Sequence, residues 1–409
     1  MRRIAQQLAL VLCGCALAGC IERLDYEPAT ASTANQSGQR WELAGEFGGD
    51  ALPANNAVDP WERRFQPGGF KLVSGVCATD DEVWVCDLGI SRIQIFSFDG
   101  TWIRSIGAGV PIEGTLPTLQ ETLDEFNDPG IEREERWEAT HGEPWRSRRF
   151  ELFRIADVIA TDDGYWAADW ARTSSYGDAW RDFQVYFKPF NGDYEPVEIH
   201  GMCFPEYLAA TPSRSDVAVS SSTTTALWTM YRDGGMWKQT QLNPGIAFAR
   251  YMLLNQAMSD SPDYTNIYAR QAGAGRDAGE FFLNSGIAIA FRKLLVCDTG
   301  NRRLQVVNID RSRPESQGEI ARVIHARDNQ GRMRFAAPLD IDVDSTGRSF
   351  ILDAERHEVA ILDTEFNRIG SFGKGRLLEP YAIDLSDDGL HCFISDRRFN
   401  KVLHYARSE

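Results

Sequence analysis

The feature that most constrains this chain is self-similarity at a period of about 40 residues, a spacing that signals a repeat architecture. Ser74-Gly-Val-Cys-Ala-Thr79, a turn at Asp80-Asp81, Val83-Trp-Val-Cys-Asp87, Arg92-Ile-Gln-Ile-Phe-Ser97 and Trp102-Ile-Arg-Ser-Ile-Gly107 are four short β-rich runs separated by turn residues. The order returns at Ser285-Gly-Ile-Ala-Ile-Ala290, Leu294-Leu-Val-Cys-Asp298 and Arg303-Leu-Gln-Val-Val307. It returns again at Pro338-Leu-Asp-Ile-Asp-Val-Asp344, Phe350-Ile-Leu-Asp353, His357-Glu-Val-Ala-Ile-Leu362 and Arg368-Ile-Gly-Ser-Phe372. A further copy runs Pro380-Tyr-Ala-Ile-Asp-Leu385, Cys392-Phe-Ile-Ser-Asp396 and Lys401-Val-Leu-His-Tyr405. Two degenerate copies begin at Ile155 and at Asp216. One four-stranded unit cannot bury its faces alone, so the units must pack on one another.

These copies resemble NHL repeats, in which an apolar strand, a small turn, an apolar strand ending in Asp, a polar loop and a run such as Arg-Ile-Gln-Val-Phe recur. The resemblance implies an all-β, six-bladed β-propeller over 41–409, with two helical loop insertions at about 109–150 and 244–281. Counts of five or seven stay open, because the copy at Asp216 lacks the strand-end Asp. The last copy stops after its third strand, whereas Trp41-Glu-Leu-Ala-Gly-Glu-Phe-Gly48 looks like a fourth. An N-terminal strand completing the last blade fastens the ring and removes an exposed edge. The insertions hold two helix candidates, Thr118–Phe126 and Ile246–Met258.

Residues 1–19 have the layout of a secretory signal peptide: Arg2-Arg3, an apolar run to Ala18, and small residues before Cys20. The run is too short and too interrupted to span a bilayer, which takes about 20 apolar residues. Leu17-Ala-Gly-Cys20 resembles the bacterial lipobox, which implies lipidation at Cys20; Leu12-Cys-Gly-Cys15 is a poorer second match. Residues 20–40 lack periodicity and read as a flexible tether. The expectation is a cell-envelope lipoprotein, membrane-bound through Cys20 and, with Ile21 rather than Asp following it, directed to the outer membrane in a Gram-negative cell.

A formal net charge of −16 opposes nucleic acid as a partner, since phosphates are held by clustered Lys and Arg. Beyond Cys20 the mature chain has five cysteines, an odd number that excludes a dense disulfide framework. Cys77 and Cys86, on either side of the Asp80-Asp81 turn, are expected on a diagonal too long for a disulfide.

In a propeller the connections from fourth to first strand and from second to third strand emerge on one face. Both insertions belong there, with the loops that hold Trp170, Arg172, Tyr176, Arg302, Arg303, His357, Arg397 and Arg398. Two readings of the arginines compete: a site for a carboxylate, phosphate or sulfate, or ion pairs with the strand-end Asp residues. The repeated Asp itself reads as an acceptor for amides of the following loop. Six His residues show no zinc-binding spacing, and neither a nucleophile elbow nor a phosphate loop occurs. The leading expectation is therefore a non-enzymatic binding module for a peptide, protein or glycan, with no cofactor. The alternative is a metal-assisted hydrolase or lyase with calcium or zinc on the propeller axis.

Overall fold

The computed structural model describes residues 40–49, 68–89, 92–107, 155–170, 183–191, 195–197, 205–211, 216–221, 226–233, 236–242 and 275–408. Cys20, Arg172 and Tyr176, the insertion helices and the tether all lie outside them. Among the described residues no helix is long and apolar enough to cross a membrane.

Among the described residues, twenty-four strands form six antiparallel four-stranded sheets. Strand β1 (Trp41–Gly48) precedes blade 1, which comprises β2 (Val73–Ala78), β3 (Glu82–Asp87), β4 (Arg92–Ser97) and β5 (Trp102–Gly107). Blade 2 holds β6 (Ile155–Ala160), β7 (Gly164–Trp170), β8 (Phe183–Pro189) and the short β9 (Glu195–Val197). Blade 3 holds β10 (Tyr207–Ala210), β11 (Asp216–Ser221), β12 (Ala226–Asp233) and β13 (Met236–Gln241). Blade 4 is β14 (Asn284–Ala290), β15 (Lys293–Asp298), β16 (Arg303–Asn308) and β17 (Ile320–His325). Blade 5 is β18 (Pro338–Val343), β19 (Ser349–Asp353), β20 (Glu358–Leu362) and β21 (Arg368–Phe372). Blade 6 runs β22 (Pro380–Leu385), β23 (His391–Asp396), β24 (Lys401–Arg407) and then β1, so the N-terminal strand closes the ring as the sequence indicates.

Blade 3 differs in one respect from the sequence reading. Its innermost strand is β10, upstream of the two runs that the repeat pattern picks out at Asp216 and Ala226. Four residues, Tyr207-Leu-Ala-Ala210, are too few to show the pattern that marks the other inner strands.

Inner and middle strands are buried almost throughout, in accord with their continuous apolar runs; β2, β6 and β19 have no exposed residue. Each buried layer interlocks neighbouring blades. Trp84 and Ile95 of blade 1 pack with Ile155, Val158 and Tyr165 of blade 2. Leu295 and Leu304 of blade 4 pack with Ile341 and Ile351 of blade 5.

The Asp that ends the second strand and the Arg-x-Gln that opens the third have a common structural task. Buried Asp298 accepts the Phe282 amide at 2.8 Å and Arg303 Nε at 2.6 Å. Arg303 also donates to the carbonyls of Arg276, Asp277 and Glu280, and Gln305 donates to Glu280. Blade 1 repeats the clamp: Asp87 accepts the Lys71 and Leu72 amides, while Arg92 and Gln94 both donate to the Gly69 carbonyl. Asp353 and Asp396 likewise hold the amides of Ala336 and Ala337 and of Leu378 and Glu379. The strand-end Asp thus reaches back to the segment entering its own blade. The following loop, where the sequence reading put its donors, is a secondary partner for Asp353 and Asp396. The entering segment passes close to the strand end and offers free amides, which is why it wins.

Cys77 lies opposite Trp84, as the hairpin register requires, and Cys77, Cys86, Cys297 and Cys392 are all buried free thiols. Burial pushes the thiols of Cys86, Cys297 and Cys392 up, so they stay protonated.

Candidate functional site

The innermost strands enclose a cavity of 260 Å³ on the propeller axis. Its walls come from β2, β6, β10, β14, β18 and β22, and its mouth from Thr211, Phe291, Ser345 and Asp387 in the turns that follow inner strands. These turns lie on the face opposite to the loops after the strand-end Asp residues. The volume is slightly below the roughly 300–1,000 Å³ of typical small-molecule sites, suiting a small group or a single side chain.

Towards the other face the axis is bridged. Tyr207 of blade 3 and Tyr381 of blade 6, on opposite sides of the ring, stack with centroids 5.7 Å apart and planes 25° apart. The Arg397 guanidinium lies 3.3 Å from the Tyr381 ring centroid, and its Nε donates to the Val73 carbonyl of blade 1 at 3.0 Å. Burial raises the Tyr381 hydroxyl far above its ordinary range. The stack crosses the axis, so among the described residues the pocket opens at the turn face and is obstructed towards the other.

The lining is apolar low in the channel (Val76, Val158, Ile287, Ile341, Ile383) and acidic around it: Asp157, Asp340, Asp342, Asp344, Asp384 and Asp387. Among the described residues no Lys, Arg or His lines the pocket. Desolvation pushes Asp157 up to about 7, with the Leu208 and Val158 amides acting the other way. Asp340 is raised for the same reason, and Asp342 is raised to about 6. Asp344 goes the other way: burial opposes its charge, but hydrogen bonds from Thr346 and Arg348 hold it below the usual carboxylate range. Neutral pH therefore finds Asp157 partly protonated, the physical answer to burying an acid with no cation beside it.

Phe291 stands at the rim. It is 74% exposed and, with Arg292, occupies the left-handed region at φ 49° and 60°. A bulky residue there is a conformational outlier. Its ring packs beside Gly347 of the next blade's turn, where a methyl group would meet the ring at 2.9 Å.

The residues singled out from sequence are distributed differently. Arg303 is buried within the blade 4 clamp, as the ion-pair reading anticipates. Arg302 is exposed and pairs with Glu355 of blade 5 at 2.7 Å. His357 is half-buried at φ 52° in a tight turn, and its Nδ1 has no partner. Arg398 is exposed, its amide bonded to Asp396. Trp170 ends β7. Among Arg302, Arg303, His357, Arg397 and Arg398, Arg397 is the one that reaches the axis. The sequence reading missed the pocket carboxyls and the tyrosine pair. Their signal is present in Asp340-Ile-Asp-Val-Asp344, where acids alternate along a strand assigned to the ring's interior. Among the described residues no three His, Cys, Asp or Glu side chains converge as a metal-binding group.

No family model matches the chain, and no curated protein is similar to it. Among solved structures, a structural genomics protein of unknown function from Bacteroides thetaiotaomicron is 11% identical with a TM-score of 0.49, covering 90% of this chain and 76% of its own. A chain of the nidogen/laminin complex is 11% identical with a TM-score of 0.46, covering 84% of this chain and 97% of its own. Virginiamycin B lyase from Staphylococcus aureus is 9% identical with a TM-score of 0.46, covering 90% and 99% respectively.

Proposed function

We propose that the chain is an NHL-type propeller displayed in a bacterial cell envelope through lipid at Cys20, and that it acts as a recognition module for a peptide, protein or glycan. The observation that carries this reading is the axial pocket: six blades converge on a small acidic recess, rimmed by an exposed aromatic and obstructed at its far end. A recess obstructed at one end holds a group rather than passing it. Its acidic lining favours amine or guanidinium groups over anions, and Phe291 offers a ring face to a cation. The strand-end Asp residues and several of the candidate arginines are already committed to the scaffold, which leaves the pocket as the better candidate than an anion site built from them.

The test uses full-length protein in detergent micelles on peptide and glycan arrays, alongside Ser345→Trp, which fills the pocket mouth from an exposed turn position. Retention of cationic peptides or amino sugars by the parent and their loss in the variant is the expected result. Equal binding by both proteins would remove the pocket from the function. Lipid attachment is tested by metabolic labelling with a fatty acid, which Cys20→Ala should abolish.

A further inference from the structure

Each blade junction around the axis carries a polar staple that reaches an inner strand of one of its two blades, and the staples are of two chemical kinds. Between blades 1 and 2 the Ser74 hydroxyl donates to the Ile155 carbonyl at 3.1 Å. Between blades 3 and 4 Ser220 donates to the Ser285 carbonyl at 2.8 Å. Between blades 4 and 5 Ser285 and Thr299 donate to the carbonyls of Leu339 and Pro338. None of these groups titrates near neutrality.

Blade 6 is held differently. From blade 5, Asp340 and Asp342 accept the Ile383 and Leu385 amides of β22, each at 2.8 Å. From blade 6, Asp384 accepts the Ala78 amide of blade 1 at 2.6 Å. Asp342 and Asp384 are also hydrogen-bonded to each other. Two carboxylates offer only acceptors, so that bond exists only while a proton sits between them. Asp157, between blades 2 and 3, is the remaining carboxyl staple, to the Leu208 amide at 2.8 Å.

Among the described residues, the pocket wall around the pair is built from acids, thiols, hydroxyls and apolar side chains. Facing the pair are the Cys392 thiol from β23, Asp340 and Asp344 from β18 and the turn after it, and Asp387 after β22. Asp157 of β6 and the Cys77 thiol of β2 lie in the same pocket wall, and β14 brings no titratable side chain to it. The nearby cation Arg348 is bonded to Asp344 at 2.5 Å.

We propose that blade 6, which the N-terminal strand completes, is latched to blade 5 by a proton shared between inner-strand carboxyls, so that this side of the closure seam tightens in acid and loosens as the pH rises towards neutrality. The sign follows from proton binding. Burial raises Asp340 and Asp342 above the ordinary carboxylate value of 3.8, Asp342 to about 6. The folded state therefore binds more protons across that window, and stability falls as pH rises through it.

The test is hydrogen–deuterium exchange by mass spectrometry on full-length protein in detergent, at acid and mildly alkaline pH, corrected for intrinsic exchange rates. Peptides covering β22 should lose protection by about tenfold or more on going from acid to mildly alkaline pH, while β14, whose junctions are built from hydroxyls, holds its protection. Asp342→Asn donates an amide hydrogen to Asp384 and still accepts from Leu385, so it should flatten the β22 response. An equal response of β14 and β22 in the parent would overturn the proposal, and so would an unchanged slope in the variant. Should Asp342→Asn fail to fold, the parent's contrast between β14 and β22 decides alone.

Discussion

At the scale of single residues, the arginines divide according to what surrounds them rather than by their place in the repeat. Arg303 is almost wholly buried, with its guanidinium shared among Asp298 and three backbone carbonyls. Arg302, its neighbour, is exposed and reaches across to the next blade. Replacing Arg303 by Met leaves buried Asp298 without its counter-charge and takes a donor from three carbonyls in the segment entering blade 4. We expect a loss of about 3–5 kcal/mol by urea unfolding, the cost of breaking a buried ion pair from one side. Arg302→Met, which removes one exposed ion pair, should change stability by less than about 1 kcal/mol. A comparable loss in both would mean that the clamp contributes little. Sequence alone could not separate the two, because adjacent residues on a strand-opening turn become inward or outward only once the register is set.

At the scale of elements, close approach between inner strands decides which residues are tolerated. A methyl group on Gly286 would sit 1.9 Å from Asp340 Oδ1 and 2.4 Å from its Cα, and one on Gly75 would meet Asp157 just as tightly. In β1, by contrast, a methyl group on Gly45 meets nothing within 4 Å. Gly286→Ala should therefore destabilise by about 2–4 kcal/mol through strand displacement, while Gly45→Ala should be near neutral. Chemical denaturation of the two variants checks the contrast; equal midpoints would show that the blade 4–5 junction can widen freely. Much of this level was legible beforehand. The repeat pattern located five inner strands and the closing strand because burial on both faces writes a continuous apolar run. It missed β10, which has four residues, and β9, which has three, because so short a stretch carries no period, and it did not pick out the six-residue outer strands β13 and β17. The pocket was half legible: the alternating acids were visible in β18, but the meeting of Asp342 with Asp384 depends on neighbouring blades, which no local pattern encodes.

At the scale of the whole molecule, closure rests on β1, and β1 does more than complete a sheet. Its hydrogen bonds run along β24 from Trp41 opposite Arg407 to Gly48 opposite Lys401. Its first side chain also crosses into blade 5, where Trp41 stacks on Phe372 at 5.2 Å and meets Phe350 edge-on at 5.4 Å. The strand is thus joined to blade 6 by its backbone and to blade 5 by its indole, on the same side of the ring as the proton-linked seam. Trp41→Ala removes the blade 5 anchor and leaves the sheet pairing intact, at an expected cost of about 3–5 kcal/mol. The half-exposed Leu43 of the same strand faces outwards, and Leu43→Ala should cost well under about 1 kcal/mol. Loss of the anchor should let β1 fray and uncover the outer edge of β24, an open template for pairing with another chain. Limited proteolysis with light scattering reads both effects: Trp41→Ala should be cut ahead of β2 and should self-associate on mild heating, whereas Leu43→Ala should behave as the parent does. If Trp41→Ala stays monomeric and uncut, backbone pairing alone closes the ring.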